Sequence, residues 1–419
     1  MHQNIYTSKL INIAFAFYAV ISIFLPPMFG NLVLHSFALF GFFLFIWKKT
    51  RVKKDISLYF ALMSLLIFIY LFIFTYINAK SLEEIATLRR LLHYLLAPGL
   101  LIFISVFDIS LRKLVLLFKS GLVAMFFVLS LEYIFLGNSD YYRPSGLINA
   151  NQISSIILFL LAFSWVNFFQ ESKLEKIITL FVIFLGFYTL ILSGSRGPIV
   201  VAIVLSIIYF FYFYKFHSFK ISLKYLFFII TTVLLVSYTP HGQKRVNDTL
   251  VEYNSNCLEI DCSPEILENE KKILSLHDKS ISLRFYAWKI AIEAAKENIF
   301  MGNGFGKSID VLKQNNASLP YTFDNLHNDY LEVLLSGGLL SLLILLGFVI
   351  APFIFFFQNL SSIKTRPYAL LGISASLIIL GISFSQESLT YKYISGFYIF
   401  FNLLFLKGIL EIRKNNSLT

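Results

Sequence analysis

The sequence predicts an all-α integral membrane protein with about twelve transmembrane helices and one large extracytoplasmic segment. Hydrophobic residues make up 57% of the 419-residue chain and charged residues only 14%, which is far outside the balance of a soluble globular domain. The chain also contains twelve predominantly apolar runs. Each is roughly 17 to 25 residues long, enough to cross about 30 Å of hydrocarbon as a helix.

These runs divide the chain into three regions. Nine transmembrane helices are predicted within residues 1–239, a periplasmic loop region with short helices within 240–328, and three more transmembrane helices within 329–419. The first run lacks a small-residue cleavage site, so we expect a retained anchor rather than a removable signal. The predicted spans are 10–25, 30–47, 57–77, 91–107, 114–136, 153–169, 177–194, 197–214, 223–239, 338–357, 367–385 and 393–407.

Lysine and arginine residues predict the orientation in the membrane. They are concentrated in alternate connections, at 48–54, 112–113, 173–176, 215–224, 364–366 and 407–414. Because cationic loops resist translocation, these connections and both termini are predicted to be cytoplasmic. The net charge of +11 is spread over separate loops and does not form the single basic face of a nucleic-acid-binding protein.

The two cysteines, Cys257 and Cys262, both lie in the segment predicted to be periplasmic. An oxidising compartment allows such residues to pair, so we expect a disulfide that closes a small loop. Two free thiols are the alternative. A zinc site is less favoured because only two soft ligands are present and His277 is distant in sequence.

The stretch from Ser282 to Lys296 has helical spacing of its apolar residues. Ser282 is a plausible N-cap, which places Arg284 in the first turn. A cation there opposes the helix dipole unless an anion neutralises it. The alternative is that Arg284 reaches towards lipid headgroups or stacks on Trp288, one turn later.

A glycine-rich stretch, residues 302–308, superficially resembles a nucleotide-binding loop. The P-loop pattern fails because Met301 stands where its first glycine belongs, and Lys307 occupies the third glycine position of the dinucleotide fingerprint. We expect a flexible turn that lets the chain approach the membrane surface or a substrate.

His327 is predicted to lie near the start of a helix at the outer membrane boundary. An imidazole has an ordinary pKa near neutrality, so it can accept a proton from an attacking hydroxyl. Asp324 and Asp329 flank it and could orient it or stabilise its charged form. They could equally be ordinary helix-start acids, with His327 structural, and a metal site built from the three is a further alternative.

Arg196 follows Ser195 in a tight turn between two predicted spans, which places its guanidinium at the lipid–water boundary. Small neighbours leave room for a phosphate, and a fork of N–H donors suits diphosphate oxygens. Arg89, Arg90 and Arg143 either widen this anion-binding rim or contact lipid headgroups.

Taken in this order, the motifs resemble those of the O-antigen ligase family, which is related to O-antigen polymerases and some protein O-oligosaccharyltransferases. The resemblance covers about residues 140–340, and the first four spans match only in topology. Its motifs are Arg143 with Gly146 and Asn151, the Ser195-Arg196 turn, the segment 282–288 with Arg284, the glycine turn 302–304, and His327-Asn328 followed by Gly338.

The resemblance implies a GT-C-type membrane fold and an inverting glycosyltransferase that needs neither a cofactor nor an essential metal. The donor would be a glycan on undecaprenyl diphosphate, and the acceptor a sugar of lipid A-core at the periplasmic face of the bacterial inner membrane. Arg196 and Arg284 would hold the diphosphate, and His327 would take the acceptor proton. The residues expected to bind substrate are Arg143, Asn151, Ser195, Trp288, Asn328, Arg89 and Arg90.

Two other functions are compatible with the sequence. An O-antigen polymerase performs the same chemistry on a second lipid-linked repeat, and a protein-glycosylating transferase ranks after it. A lipid-linked sugar flippase or another transporter would also have twelve helices, but it is expected to keep ionisable groups near the middle of its spans. The candidate residues here cluster at one face instead.

Overall fold

The structure is a computed structural model, and it is built almost entirely of helices wherever it is described. It describes residues 27–48, 55–79, 81–106, 110–136, 144, 149–166, 168–239, 242–243, 280–315 and 325–416. The predicted first span, Arg143, Asp324 and both cysteines lie outside these residues, so the predictions about them stay predictions.

Fourteen α-helices and two short 3-10 turns are present in these ranges. The α-helices are α1 Pro27–Lys48, α2 Ile56–Asn78, α3 Leu82–Ala86, α4 Leu92–Val106, α5 Leu111–Leu136, α6 Ala150–Ser164, α7 Lys173–Leu192, α8 Arg196–Phe216, α9 Phe219–Ser237, α10 Ser280–Glu297, α11 Ser308–Asn315, α12 Asp329–Gln358, α13 Arg366–Ile382 and α14 Lys392–Asn416. The 3-10 turns are Thr87–Leu91 and Phe168–Gln170.

Eight of the described helical segments are long and apolar enough to cross a membrane, with α3 and α4 counted as one segment. Three further apolar helices are shorter, namely Asn31–Trp47, Ala150–Ser164 and Arg366–Ile382. The prediction of an all-helical, multi-pass membrane protein is therefore confirmed. The described residues contain fewer than the twelve predicted spans.

Consecutive long helices run in opposite directions, so the bundle has two ends. We call the end that holds the α7–α8 and α13–α14 connections the site end. The C-terminal helix α14 lies at the centre of the bundle, since 89% of its apolar stretch is buried. Its aromatic side chains pack closely, as Phe401 does against Phe118 at 5.3 Å between ring centroids.

The bundle holds one buried ion pair away from the site end. Lys119 of α5 bonds the carboxylate of Glu171, and both side chains are about nine-tenths buried. Glu171 also accepts a hydrogen bond from Thr179 at 2.6 Å. The charge of Lys119 is thus compensated within the protein.

Helix α12 is interrupted by a kink at Gly338, where φ is 69°. A side chain at this position would place its Cβ 2.2 Å from the carbonyl oxygen of Phe300. The kink arises because the chain before α11 packs directly on the α12 backbone: the amide of Leu339 donates to Ile299 O at 2.6 Å and that of Asn303 to Leu335 O at 2.7 Å. Residues 302–305 are therefore a docked turn, which corrects the expectation of a flexible one.

Helix α10 forms a small second core with α11 and the start of α12. Its buried alanines, including Ala287 and Ala291, pack near Leu326 and Leu335. Alanine permits this close approach of helix backbones. Helix α10 begins at Ser280, so the expectation that Ser282 is the N-cap is wrong, and Arg284 lies in the second turn.

Candidate functional site

The 383–391 loop between α13 and α14 is the point at which the site end is assembled. Tyr94 of α4 donates a hydrogen bond to Leu389 O at 2.8 Å. Gln386 donates to the hydroxyl of Ser155 on α6, and the amide of Asp329 on α12 donates to Ser383 O at 2.9 Å. Three helices distant in sequence therefore converge on one short loop.

Arg284 joins the same loop from helix α10. Its Nη1 donates a hydrogen bond to the backbone oxygen of Ser385 at 3.0 Å. Trp288 makes other contacts, since its ring meets that of Phe285 edge-on at 5.2 Å. The structure thus turns Arg284 towards the 383–391 loop, whereas one of the sequence alternatives placed it on Trp288.

The start of α8, which carries Arg196, packs against the loop. The next residue, Gly197, lies so close to Ser385 that an added Cβ would be 1.9 Å from Ser385 Oγ and 2.8 Å from Ser385 Cβ. Of the two arginines predicted to hold a diphosphate, Arg284 therefore bonds Ser385 directly, and Arg196 is the chain neighbour of a residue that packs on Ser385.

The turn before α8 is fixed by a side-chain contact. The hydroxyl of Ser195 lies 3.0 Å from Asn151 Oδ1 and 3.2 Å from Ala150 O. Ser195 is 2% exposed, so its hydroxyl supports the position of Arg196 from inside the protein. Asn151 is half-buried at the start of α6.

His327 lies two residues before α12, in a backbone conformation with φ of 50°. Its amide donates to Asn325 Oδ1 at 3.0 Å, and the neighbouring carbonyl of Leu326 accepts a hydrogen bond from Trp288 Nε1 at 2.8 Å. Because Trp288 is one turn along α10 from Arg284, this hydrogen bond ties the chain segment that carries His327 to the helix that carries Arg284.

Asn328 begins α12 as its N-cap. Its side-chain oxygen accepts from the amides of Tyr330 at 3.1 Å and Leu331 at 3.2 Å. A cap of this kind satisfies donors that the first turn of a helix leaves without partners. Asn328 is 5% exposed, and its predicted contact with substrate stays a prediction.

Asp329 is fully buried. Its carboxylate faces the 383–391 loop. The carboxylate accepts from the amides of Ser388, Leu389 and Thr390 at 2.7, 2.8 and 3.0 Å, and from the Thr390 hydroxyl at 2.6 Å. These four donors come from the loop, so the contacts of Asp329 do not support the alternative in which it orients His327. Within the described ranges, no group of three His, Cys, Asp or Glu side chains is placed to hold a metal ion.

Arg89 and Arg90 lie in the 3-10 turn before α4, and both are exposed. They line a shallow recess together with Glu83. The charge of Arg90 acts on Tyr391, whose pKa is raised mainly by burial, and which forms a side-chain hydrogen bond with Gln152. The recess therefore borders the 383–391 loop, where an anion-binding rim would be useful.

The sequence motifs did not include Ser385 or the role of the 383–391 loop, and they treated Gly197 only as a small neighbour of Arg196. One signal was present in the polar run Ser-Phe-Ser-Gln-Glu-Ser at 383–388, which directly follows an apolar helix. Such a run at a span end carries more hydrogen-bonding groups than a simple connection needs. Its partners on other helices, however, are 54 (Ser383 and Asp329) to 231 (Gln386 and Ser155) residues away in sequence.

The arrangement is suited to anion binding and proton acceptance without further groups. Two guanidiniums offer planar forks of donors that match phosphate oxygens. The half-buried imidazole of His327 can accept a proton from a hydroxyl. The fold and the site together define a multi-pass helical membrane protein with a polar, cation-bearing site at one end of its bundle.

Comparison with known proteins gives a family match over part of the chain. Residues 181–346 match the family described as O-antigen ligase, which confirms the resemblance drawn from the motifs. The family covers O-antigen ligases and polymerases, so the match indicates an enzyme of glycan assembly without distinguishing the two. Arg196, Arg284 and His327 lie inside the matched segment, and the 383–391 loop lies beyond it.

A relative of similar length also matches the chain. It is an uncharacterized protein of Haemophilus influenzae, 27% identical over 330 residues, which are 74% of this chain and 77% of that protein.

Proposed function

We propose that the protein is an inverting, metal-independent glycosyltransferase that moves an O-antigen polysaccharide from undecaprenyl diphosphate to a sugar of lipid A-core. The reaction would occur at the periplasmic face of the bacterial inner membrane. The observation that carries this proposal is that Ser385 bonds Arg284 and packs on Gly197, the residue after Arg196, while both arginines lie in a segment that matches the O-antigen ligase family.

The two arginines would bind the diphosphate of the donor. Each charge-assisted hydrogen bond contributes roughly 1.5 to 3 kcal/mol. Their contribution would grow as the bond between the anomeric carbon and the diphosphate oxygen breaks, because negative charge then accumulates on the leaving group. Fixed cations stabilise such charge without having to reorganise during the reaction.

His327 would act as the general base. The acceptor hydroxyl oxygen forms a bond to the anomeric carbon as the diphosphate leaves from the opposite side, and the hydroxyl proton passes to the imidazole. This in-line displacement inverts the anomeric centre. A positioned base of this kind accelerates a reaction about a hundredfold to ten-thousandfold.

The distribution of buried charge favours a transferase over a carrier. Among the described residues, the charged side chains classed as buried are Lys119, Asp329 and Glu332. Lys119 is paired with Glu171, and the two acids lie within the first four residues of α12 at the site end. A transporter is expected to place ionisable groups near the middle of its spans.

A reconstitution experiment tests the activity. Purified protein, a synthetic undecaprenyl-diphosphate-linked glycan and lipopolysaccharide that lacks O-antigen should yield a new glycosidic bond and free undecaprenyl diphosphate. Movement of the intact donor across the membrane without a new bond would favour a carrier and contradict the proposal.

A deletion strain separates the ligase from the polymerase. If the protein is a ligase, the strain should contain lipid A-core without O-antigen and should accumulate long lipid-linked polymer. Core that carries a single repeat would instead identify a polymerase.

A further inference from the structure

Ser385 lies outside the family segment 181–346, yet it contacts the elements that carry both candidate diphosphate-binding arginines. Its backbone oxygen accepts a hydrogen bond from Arg284, and its side chain packs on Gly197, the neighbour of Arg196. A displacement of Ser385 would therefore change the separation of the two guanidiniums.

We propose that Gly197 is a positioning residue for the donor site, because its lack of a side chain lets Ser385 rest against the start of α8 and thereby sets the spacing of Arg196 and Arg284. This inference rests on the proposed function, in which the two arginines bind the diphosphate of the donor. It adds a residue that makes no contact of its own with the donor.

The close approach at Gly197 cannot be relieved by a side-chain rotation. The Ser385 hydroxyl could turn away from an alanine at 197, but Ser385 Cβ would remain 2.8 Å from the new methyl group. Because Cβ is fixed to the backbone, the backbone of Ser385 would have to move. The carbonyl that holds Arg284 would move with it.

The loop resists such a movement, which makes the spacing well defined. Three backbone amides at 388–390 are held by the buried carboxylate of Asp329, and Gln386 is bonded to Ser155. The segment is therefore anchored immediately after Ser385, and Gly197 limits its position on the other side.

The geometry identifies a second substitution that should compensate for Gly197→Ala. Among the described residues outside its own helix and chain neighbours, only Ser385 Oγ and Cβ would lie within 4 Å of a Cβ at position 197. Ser385→Gly removes both atoms and keeps the backbone carbonyl. The double variant Gly197→Ala with Ser385→Gly thus has space for the added methyl group and retains the acceptor for Arg284.

The test is a double-mutant cycle with the full-length protein, a synthetic undecaprenyl-diphosphate-linked glycan and lipopolysaccharide that lacks O-antigen. Gly197→Ala should lower kcat/KM by about tenfold to a hundredfold, as sub-ångström to 1 Å misplacements of binding groups do. The loss should appear as a raised KM for the donor together with a lower kcat, because the arginines would also stabilise the leaving group, and with an unchanged KM for the acceptor. The double variant should recover to within about threefold of Ser385→Gly, the single-variant background of the cycle.

Gly347→Ala is the matched control, because its Cβ would make only an ordinary 3.6 Å contact with Met63. The inference is overturned if Gly197→Ala behaves like Gly347→Ala. It is also overturned if kcat falls with both KM values unchanged, as a smaller folded fraction would cause, or if Ser385→Gly fails to rescue.

The melting temperatures of the same variants separate this failure from a failure of the proposed function. They report the contact of Gly197 with Ser385 whether or not the protein transfers a glycan. A wild-type protein that transfers no glycan would refute the proposed function. An active wild type with an unaffected Gly197→Ala variant would refute only the positioning role.

Discussion

The guanidinium of Arg284 donates a hydrogen bond to the backbone oxygen of Ser385, 101 residues later in the chain. A backbone carbonyl is an invariant acceptor, since no substitution at 385 removes it. The bond orients a side chain that lies on a different element from Arg196 and His327. It makes the helix α10 part of the same site as α8 and α12.

The first prediction concerns the shape of the Arg284 side chain. Arg284→Lys keeps the charge but loses the planar fork of donors, so it should raise the donor KM nearly as much as Arg284→Ala does. Steady-state kinetics with the lipid-linked donor check this. Lys296→Ala is the control, since its exposed pair with Glu293 on the same helix contributes little. If the donor KM of Arg284→Lys equals that of the wild type, a positive charge alone is sufficient for donor binding at this position.

The second prediction concerns proton acceptance by His327. His327→Asn should reduce transfer by about a hundredfold to ten-thousandfold, while the melting temperature stays near that of the wild type. Asparagine is chosen because it tolerates the left-handed conformation at this position, with φ of 50°. Normal ligation by His327→Asn would remove His327 from the mechanism.

The third prediction concerns the anchor of the 383–391 loop. Asp329→Asn replaces one of two acceptor oxygens by an amide donor, so buried N–H groups at 388–390 lose partners, at about 1–3 kcal/mol for each. The variant should melt at a lower temperature than the wild type in detergent. Asp310→Asn, at an exposed position of α11, provides the control and should leave the melting temperature unchanged. Equal melting of Asp329→Asn and wild type would contradict the hydrogen-bonding role.

The fourth prediction concerns the kink in α12. Gly338→Ala introduces a side chain at φ of 69° and 2.2 Å from Phe300 O, so it should lower the melting temperature and separate residues 299–304 from α12. Thermal unfolding and protease sensitivity of this segment measure the two effects. Gly347→Ala on the same helix should have neither. A stable, protease-resistant Gly338→Ala protein would mean that the turn docks without the kink.

Helix positions followed from the sequence because they depend on local runs of apolar residues. The predicted span 57–77 corresponds to Ile56–Asn78, and 197–214 to Arg196–Phe216. The membrane span was set from 338, whereas the helix that contains it begins at Asp329, close to His327 as the sequence predicted. The glycines at 337 and 338 suggested a boundary there, whereas the helix continues through a kink that is held by another segment.

The candidate site was predictable in part. The motifs identified Arg196, Arg284 and His327, since cations and an imidazole at span ends require a reason. The sequence did not reveal that Asp329 binds the 388–390 amides, because its neighbours in the chain suggested a role beside His327. Contacts across such distances depend on how the helices pack, and no local pattern encodes them.

The multiple anchors of the 383–391 loop also constrain how this chain can change its length. An inserted residue between Ser385 and Ser388 would shift the loop by one backbone step relative to Asp329 and Ser155, so that the hydrogen bonds on one side would be lost. Insertions and deletions should therefore be excluded from this short connection, although surface loops usually tolerate them. Efforts to broaden the range of accepted glycans should leave its length unchanged and vary other surface segments.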